Sequence, residues 1–192
     1  MIWSDLYNDI QPHVPGCPEP ALEDAVRRTA MRFCRDSHIW EEELQSVHLA
    51  NGVDRYQLEL PEETAVLSLV SAIQRKSPDE SGNEVWPSIN VFGLLHFSPL
   101  PDPDQGPVEV RAVLKPSRDA TGLPDRIGLD YDEALIHGAI AALQEIPGRD
   151  WSNPNMVSYH KSIYFDGVAE AIGRRARGNT DRPLRVKAHP NL

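Results

Sequence analysis

The 192-residue sequence lacks most of what marks an enzyme, a membrane protein or a secreted domain. It holds two cysteines, Cys17 and Cys34, too few for a disulfide framework in a chain this long, so both are expected as free thiols. Cys34 sits in a helical apolar pattern and is expected in the core. No apolar run approaches the roughly 18–20 residues that a membrane span needs. The opening Met1-Ile2-Trp3-Ser4-Asp5 has neither the basic flank nor the apolar stretch of a secretion signal, which points to the cytoplasm, or to a particle assembled there.

Chemical signatures are missing as well. There is no P-loop, Rossmann glycine triplet, Gly-x-Ser-x-Gly elbow or His-Glu-x-x-His. The histidines (His13, His38, His48, His96, His137, His160 and His189) have no metal-ligand spacing to one another or to a cysteine, and each is expected as a surface or semi-buried polar residue. Asp102-Pro103-Asp104-Gln105-Gly106 looks superficially like a calcium loop but lacks the further oxygen ligands and the closing glutamate. The carboxylates of Asp130-Tyr131-Asp132-Glu133 read as a helix N-terminus, where negative charge suits the macrodipole. The expectation is therefore a non-enzymatic protein with no cofactor, no metal and no catalytic residue.

What is present is an uneven charge. The formal net charge is −10. From residue 171 onward, Arg174, Arg175, Arg177, Arg182, Arg185 and Lys187 face Asp181 alone, which leaves that stretch at +5 and the rest of the chain at −15. Such asymmetry speaks of partners and not of fold. A basic end suits an acidic protein surface or a phosphate backbone, and arginine offers forked donors for either. With no aromatic residues interleaved, base stacking on single strands is not expected.

The pattern along the chain predicts helices at both ends and strands between them. A short helix is expected over Ser4–Ile10 with Ser4 as its cap, then a proline-rich turn over 12–18. A longer helix begins with Pro20 in its first turn and ends near Ser37–Trp40. Its stripe is Leu22, Val26, Thr29, Ala30, Phe33 and Cys34, with Arg27, Arg28, Arg32 and Arg35 mostly off it. Residues 44 to 116 read as β. Val47 and Leu49 alternate, as do Tyr56, Leu58 and Leu60, with Asn51-Gly52 expected as a hairpin turn between them. Residues 65–73, 91–97 and 108–114 are further strands. Residues 77–88 read as a polar loop, and Pro99–Pro107 as a projecting hairpin connection or a mobile tip. Helix then returns: one expected to start at Asp130 with Glu133 completing a capping box, and one with Asn153 as cap and Pro154 as its first residue. The small residues Gly138, Ala139, Ala141 and Ala142 would let another helix approach closely. After Gly178 the chain has too few apolar residues to fold alone.

The fold class is thus α+β, a helical bundle from both chain ends with an inserted antiparallel β module and an extended C-terminal arm. The expected divisions are 1–43 (bundle), 44–120 (β module), 121–177 (bundle) and 178–192 (arm).

The order of short helix, Val-Pro-Gly-Cys-Pro, a helix ending Phe-Cys-Arg-Asp-Ser-His-Ile-Trp, then Gly-Val-Asp-Arg-Tyr-Gln-Leu-Glu-Leu-Pro resembles the head-to-tail adaptor (connector) proteins of tailed bacteriophages. So does the later Trp-Ser-Asn-Pro-Asn-Met before a tyrosine-bearing helix. The resemblance spans roughly residues 3 to 175 and rests on structural punctuation, not on a chemical signature. It implies a homo-oligomeric ring, usually a dodecamer, at the head–tail junction of a virion. The ring would bind the portal protein on one side and the next tail or nozzle component on the other. DNA would pass through the lumen in transient contact. It also implies that the C-terminal arm reaches the portal, so that the six basic residues from Arg174 to Lys187 become portal-docking residues. A tail terminator or other tail-completion protein, or a nucleic-acid-binding module, are the alternatives.

Overall fold

The computed structural model describes residues 1–77 and 81–178. Helices precede and follow one run of strands that form antiparallel sheets, an α+β arrangement. A 3-10 turn at Trp3–Leu6 runs into α1 (Tyr7–Ile10) and a second 3-10 turn at Gln11–His13. The first turn differs from expectation. It begins at Trp3, and Ser4 caps nothing; instead the Asp5 carboxylate accepts from the Ile2 backbone N–H at 3.0 Å. A carboxylate in the first turn satisfies an orphan donor as well as a cap would.

The long helix α2 (Glu19–Ser37) carries Pro20 in its first turn and ends at left-handed His38. Its predicted stripe, from Leu22 to Cys34, is buried throughout. Both cysteines are free and buried.

Two antiparallel sheets follow. The larger takes β1 (Glu41–Val47), β3 (Thr64–Gln74), β4 (Asn83–Glu84) and β7 (Val108–Pro116) in the order β1-β7-β3-β4. The smaller takes β2 (Arg55–Gln57), β5 (Ser88–Ile89) and β6 (Leu94–His96) in the order β2-β6-β5. Asn51-Gly52 is therefore a turn but not a hairpin: β1 pairs with β7 and β2 with β6. The Tyr56 hydroxyl closes that turn instead, accepting from the Ala50 N–H at 2.7 Å and reaching the Val53 carbonyl at 3.2 Å. The stretch 77–88, expected as loop, contributes β4 and the first residue of β5, and of residues 91–97 only Leu94–His96 form a strand.

Pro99–Pro107 is no hairpin, because β6 and β7 lie in different sheets. Nor does it project freely. Buried Gln74 donates from Nε2 to the Asp102 carbonyl at 2.7 Å and the Gly106 carbonyl at 3.0 Å, and a 3-10 turn forms at Pro103–Gln105. Gly106 sits at φ +93, and a Cβ there would fall 2.3 Å from the Arg75 carbonyl oxygen. Only glycine lets the loop lie down against β3.

The last helices are α3 (Asp125–Gly128), α4 (Asp132–Gln144) and α5 (Pro154–Ala176). Helix α4 starts two residues after the expected cap, with Asp132 Oδ1 accepting from the Glu133 N–H at 2.7 Å. Asn153 precedes Pro154 as expected but makes no side-chain cap bond. Helix α4 lies between α2 and α5. A Cβ on Gly138 would sit 2.5 Å from Thr29 Cγ2 of α2 and 2.6 Å from Tyr164 Cδ2 of α5, so the small residue sets both approaches. Helix α2 also packs on β7, and one continuous apolar cluster joins helices and sheets, with Phe33, Leu135, Ile140, Leu95 and Leu114 fully buried. The N-terminal segment meets the connection between β7 and the helices that follow it, where Trp3 Nε1 donates to the Ala120 carbonyl at 2.6 Å and Ile2 bridges Gly122.

Candidate docking site

The base of the proposed arm is the last turn of α5. That helix buries Val157, His160, Tyr164, Val168 and Ala171, which recur at three- and four-residue steps. Ile172 is exposed, and Ala171 takes the buried position three residues after Val168. Gly178, at φ +64, turns the chain off the helix.

Two of the six predicted docking residues are spent on the chain's own carboxylates. Arg174 donates from a terminal nitrogen to Asp130 Oδ2 at 2.6 Å, and the neighbouring Tyr131 hydroxyl and Asp130 carboxylate hold its guanidinium further into the charged form. Arg175 Nε reaches Glu41 Oε1 at 2.5 Å, while Arg111 holds the other oxygen of Glu41 at 3.1 Å. Asp130 thus serves as an anchor for α5, not as the cap of α4. Arg177 lies in the turn just past the helix. Arg182, Arg185 and Lys187, with the arm from residue 179 onward, lie outside the described residues. The geometry ties the end of α5 to β1 and to the α3–α4 junction, so residue 178 leaves the body from a fixed point.

A second cluster was not foreseen as a unit. His137 of α4 and His160 of α5 bring their Nδ1 atoms to 2.8 Å, and the His13 ring meets the His160 ring edge-on at 5.3 Å between centroids. His160 is fully buried, and its Nε2 has no hydrogen-bond partner. Burial, and then the neighbouring histidines, push the His160 imidazole below its ordinary value; burial lowers His137 too, against the pull of Glu133. Since the residues are 23 apart in sequence, no local spacing signals the pair. One signal was available: His160 stands three residues after Val157 and four before Tyr164, on the buried stripe. Among the described residues no group of three or more His, Cys, Asp or Glu is placed to hold a metal ion, and no helix is long and apolar enough to cross a membrane.

Comparison with protein-family models and with curated proteins gives no match.

Proposed function

We propose that the chain is a non-enzymatic head-to-tail adaptor of a tailed phage, joining portal to tail by protein–protein contacts. The observation that carries this reading is the uneven charge of the chain, −15 over residues 1–170 against +5 over residues 171–192. The ion pairs of Arg174 and Arg175 support it, since they fix the point from which the arm departs. A basic arm complements an acidic groove on a portal subunit and gains its on-rate from that complementarity. An acidic body suits a ring through which DNA must slide, because each phosphate neutralised would add affinity and retard passage. On this reading the protein forms a ring, contacts the portal on one side and the next tail component on the other, and resides at the head–tail junction of the virion.

The test is co-assembly. Electron microscopy of the protein mixed with its portal should show a ring seated on the portal, and truncation after Gly178 should abolish the seating. A truncated chain that still seats normally would refute the docking role of the arm. A protein found capping the tail tube and ignoring the portal would mark it as a tail terminator.

A further inference from the structure

Helix α4 is recessed because its residues facing α2 and α5 are small. Gly138, Ala141 and Ala142 form the floor of an open groove of about 420 Å³, and α2 and α5 rise as its walls. The walls are strongly basic. Arg28, Arg32 and Arg35 follow one another at four- and three-residue steps along α2, so they share a face. Lys115, at the end of β7, and Lys161 of α5 complete the rim. The one carboxylate lining the groove, Glu145, is paired with Lys161 at 2.9 Å. Arg28 is paired with Asp24 at 2.9 Å and Arg35, through Nε alone, with Asp36 at 3.5 Å, but among the described residues no carboxylate lies within 4.0 Å of Arg32 or Lys115. In a chain of net charge −10, a groove this positive stands apart from its surroundings.

A second observation points to an acceptor that the groove lacks. Tyr164 lines it and is 3% exposed, yet its hydroxyl has no hydrogen-bond partner. Burial, and next the Asp36 carboxylate, push the phenol well above its ordinary value, so it stays protonated and can only gain by donating. Tyr164 shares the lining of the groove with Arg32 and Arg35, whose charges act on the phenol against that of Asp36. Beside it Phe165 leaves an exposed ring, 54% accessible, against which an apolar side chain can pack.

We infer that this groove is a docking site for an acidic segment of a partner protein, one bulky apolar side chain flanked by aspartate or glutamate. The apolar side chain seats on Ala142 and Phe165, the carboxylates take the forked donors of Arg32 and Arg35, and a carboxylate or backbone carbonyl accepts from Tyr164. Polynucleotide fits less well: the floor is apolar, the body around the groove is acidic, and a single aromatic ring is no stacking ladder. The inference is independent of the arm and of the adaptor reading, since it concerns another face of the molecule.

The probe is a fluorescein-labelled peptide of aspartate and glutamate around a central leucine, with its asparagine and glutamine counterpart as control, titrated with the full chain by fluorescence anisotropy. The acidic peptide should bind and the neutral one should not, with affinity falling as salt rises. Arg32→Glu, an exposed position whose change leaves the core alone, should weaken binding about tenfold or more. Tyr164→Phe removes only an unpaired hydroxyl, so the chain should fold at least as well while binding weakens several-fold. No binding of the acidic peptide at low salt, equal binding of the neutral peptide, or an unchanged affinity in Arg32→Glu would each overturn the inference. So would tighter binding of a single-stranded oligonucleotide of equal charge, or self-association by light scattering that Arg32→Glu abolishes, which would make the occupant a second copy.

Discussion

His137 and His160 face each other through their Nδ1 atoms at 2.8 Å, a separation that holds one proton and not two. One ring must donate and the other accept, so the pair is stable only while at least one imidazole is neutral. His13 adds a third ring to His160, Tyr159 packs edge-on against both His137 and His160, and the Glu133 carboxylate favours protonation of His137.

Stability should therefore depend on pH in a defined direction. Both folded-state values are lowered, so the unfolded chain takes up protons first as pH falls through about 6.5. The contribution is complete above that pH and is lost below it. Urea midpoints taken from neutral pH to about pH 5 should fall more for the wild-type chain than for His160→Gln, whose amide does not titrate. Parallel pH profiles would show that the pair contributes nothing.

Gly138→Val should destabilise the fold by roughly 1–3 kcal/mol, and more if α4 cannot shift, because the added carbons meet Thr29 on one side and Tyr164 on the other. Thermal or urea unfolding gives the value. Gly173→Ala, where an added Cβ meets nothing within 4 Å, is the control and should leave stability unchanged or slightly improved.

Gln74→Leu should free the 99–107 loop. Two carbonyls, of Asp102 and Gly106, lose the amide that holds them, at a cost of about 1–3 kcal/mol. Hydrogen exchange should quicken at the Gln105 and Gly106 amides, which close the 3-10 turn onto the Asp102 and Pro103 carbonyls.

Arg174→Ala and Arg175→Ala should each change stability by less than about 1 kcal/mol, since both pairs are partly exposed. If the arm docks as proposed, Arg182→Glu, Arg185→Glu and Lys187→Glu should weaken portal binding in a salt-dependent way with an unchanged unfolding midpoint. Portal co-sedimentation at two ionic strengths separates the two sets.

Neither cysteine should react quickly with a thiol reagent in the folded chain. Burial pushes the Cys34 thiol up to about 12 and raises Cys17 as well, so the thiolate population is small. Labelling at the rate of a free thiol would contradict this burial.

Local order was legible in the sequence because it depends on residues a few positions apart. The stripe from Leu22 to Cys34, the proline starts at Pro20 and Pro154, and the small residues around Gly138 follow from helical periodicity and backbone sterics alone. The same holds for the strands over Thr64–Gln74 and Val108–Pro116, and for the charge division near residue 171. Tertiary structure decided everything that depends on which distant groups meet. Asn51-Gly52 looks like a hairpin turn, yet its flanking strands join different sheets. Asp130 looks like a cap, yet its carboxylate bonds Arg174, whose charge outweighs what an orphan N–H offers. His137 with His160, the Gln74 clamp on the proline loop, and a groove with three arginines above a recessed small-residue helix all join residues far apart in the chain. Such pairings are selected by the packing of whole elements, to which a periodic pattern contributes one face at a time.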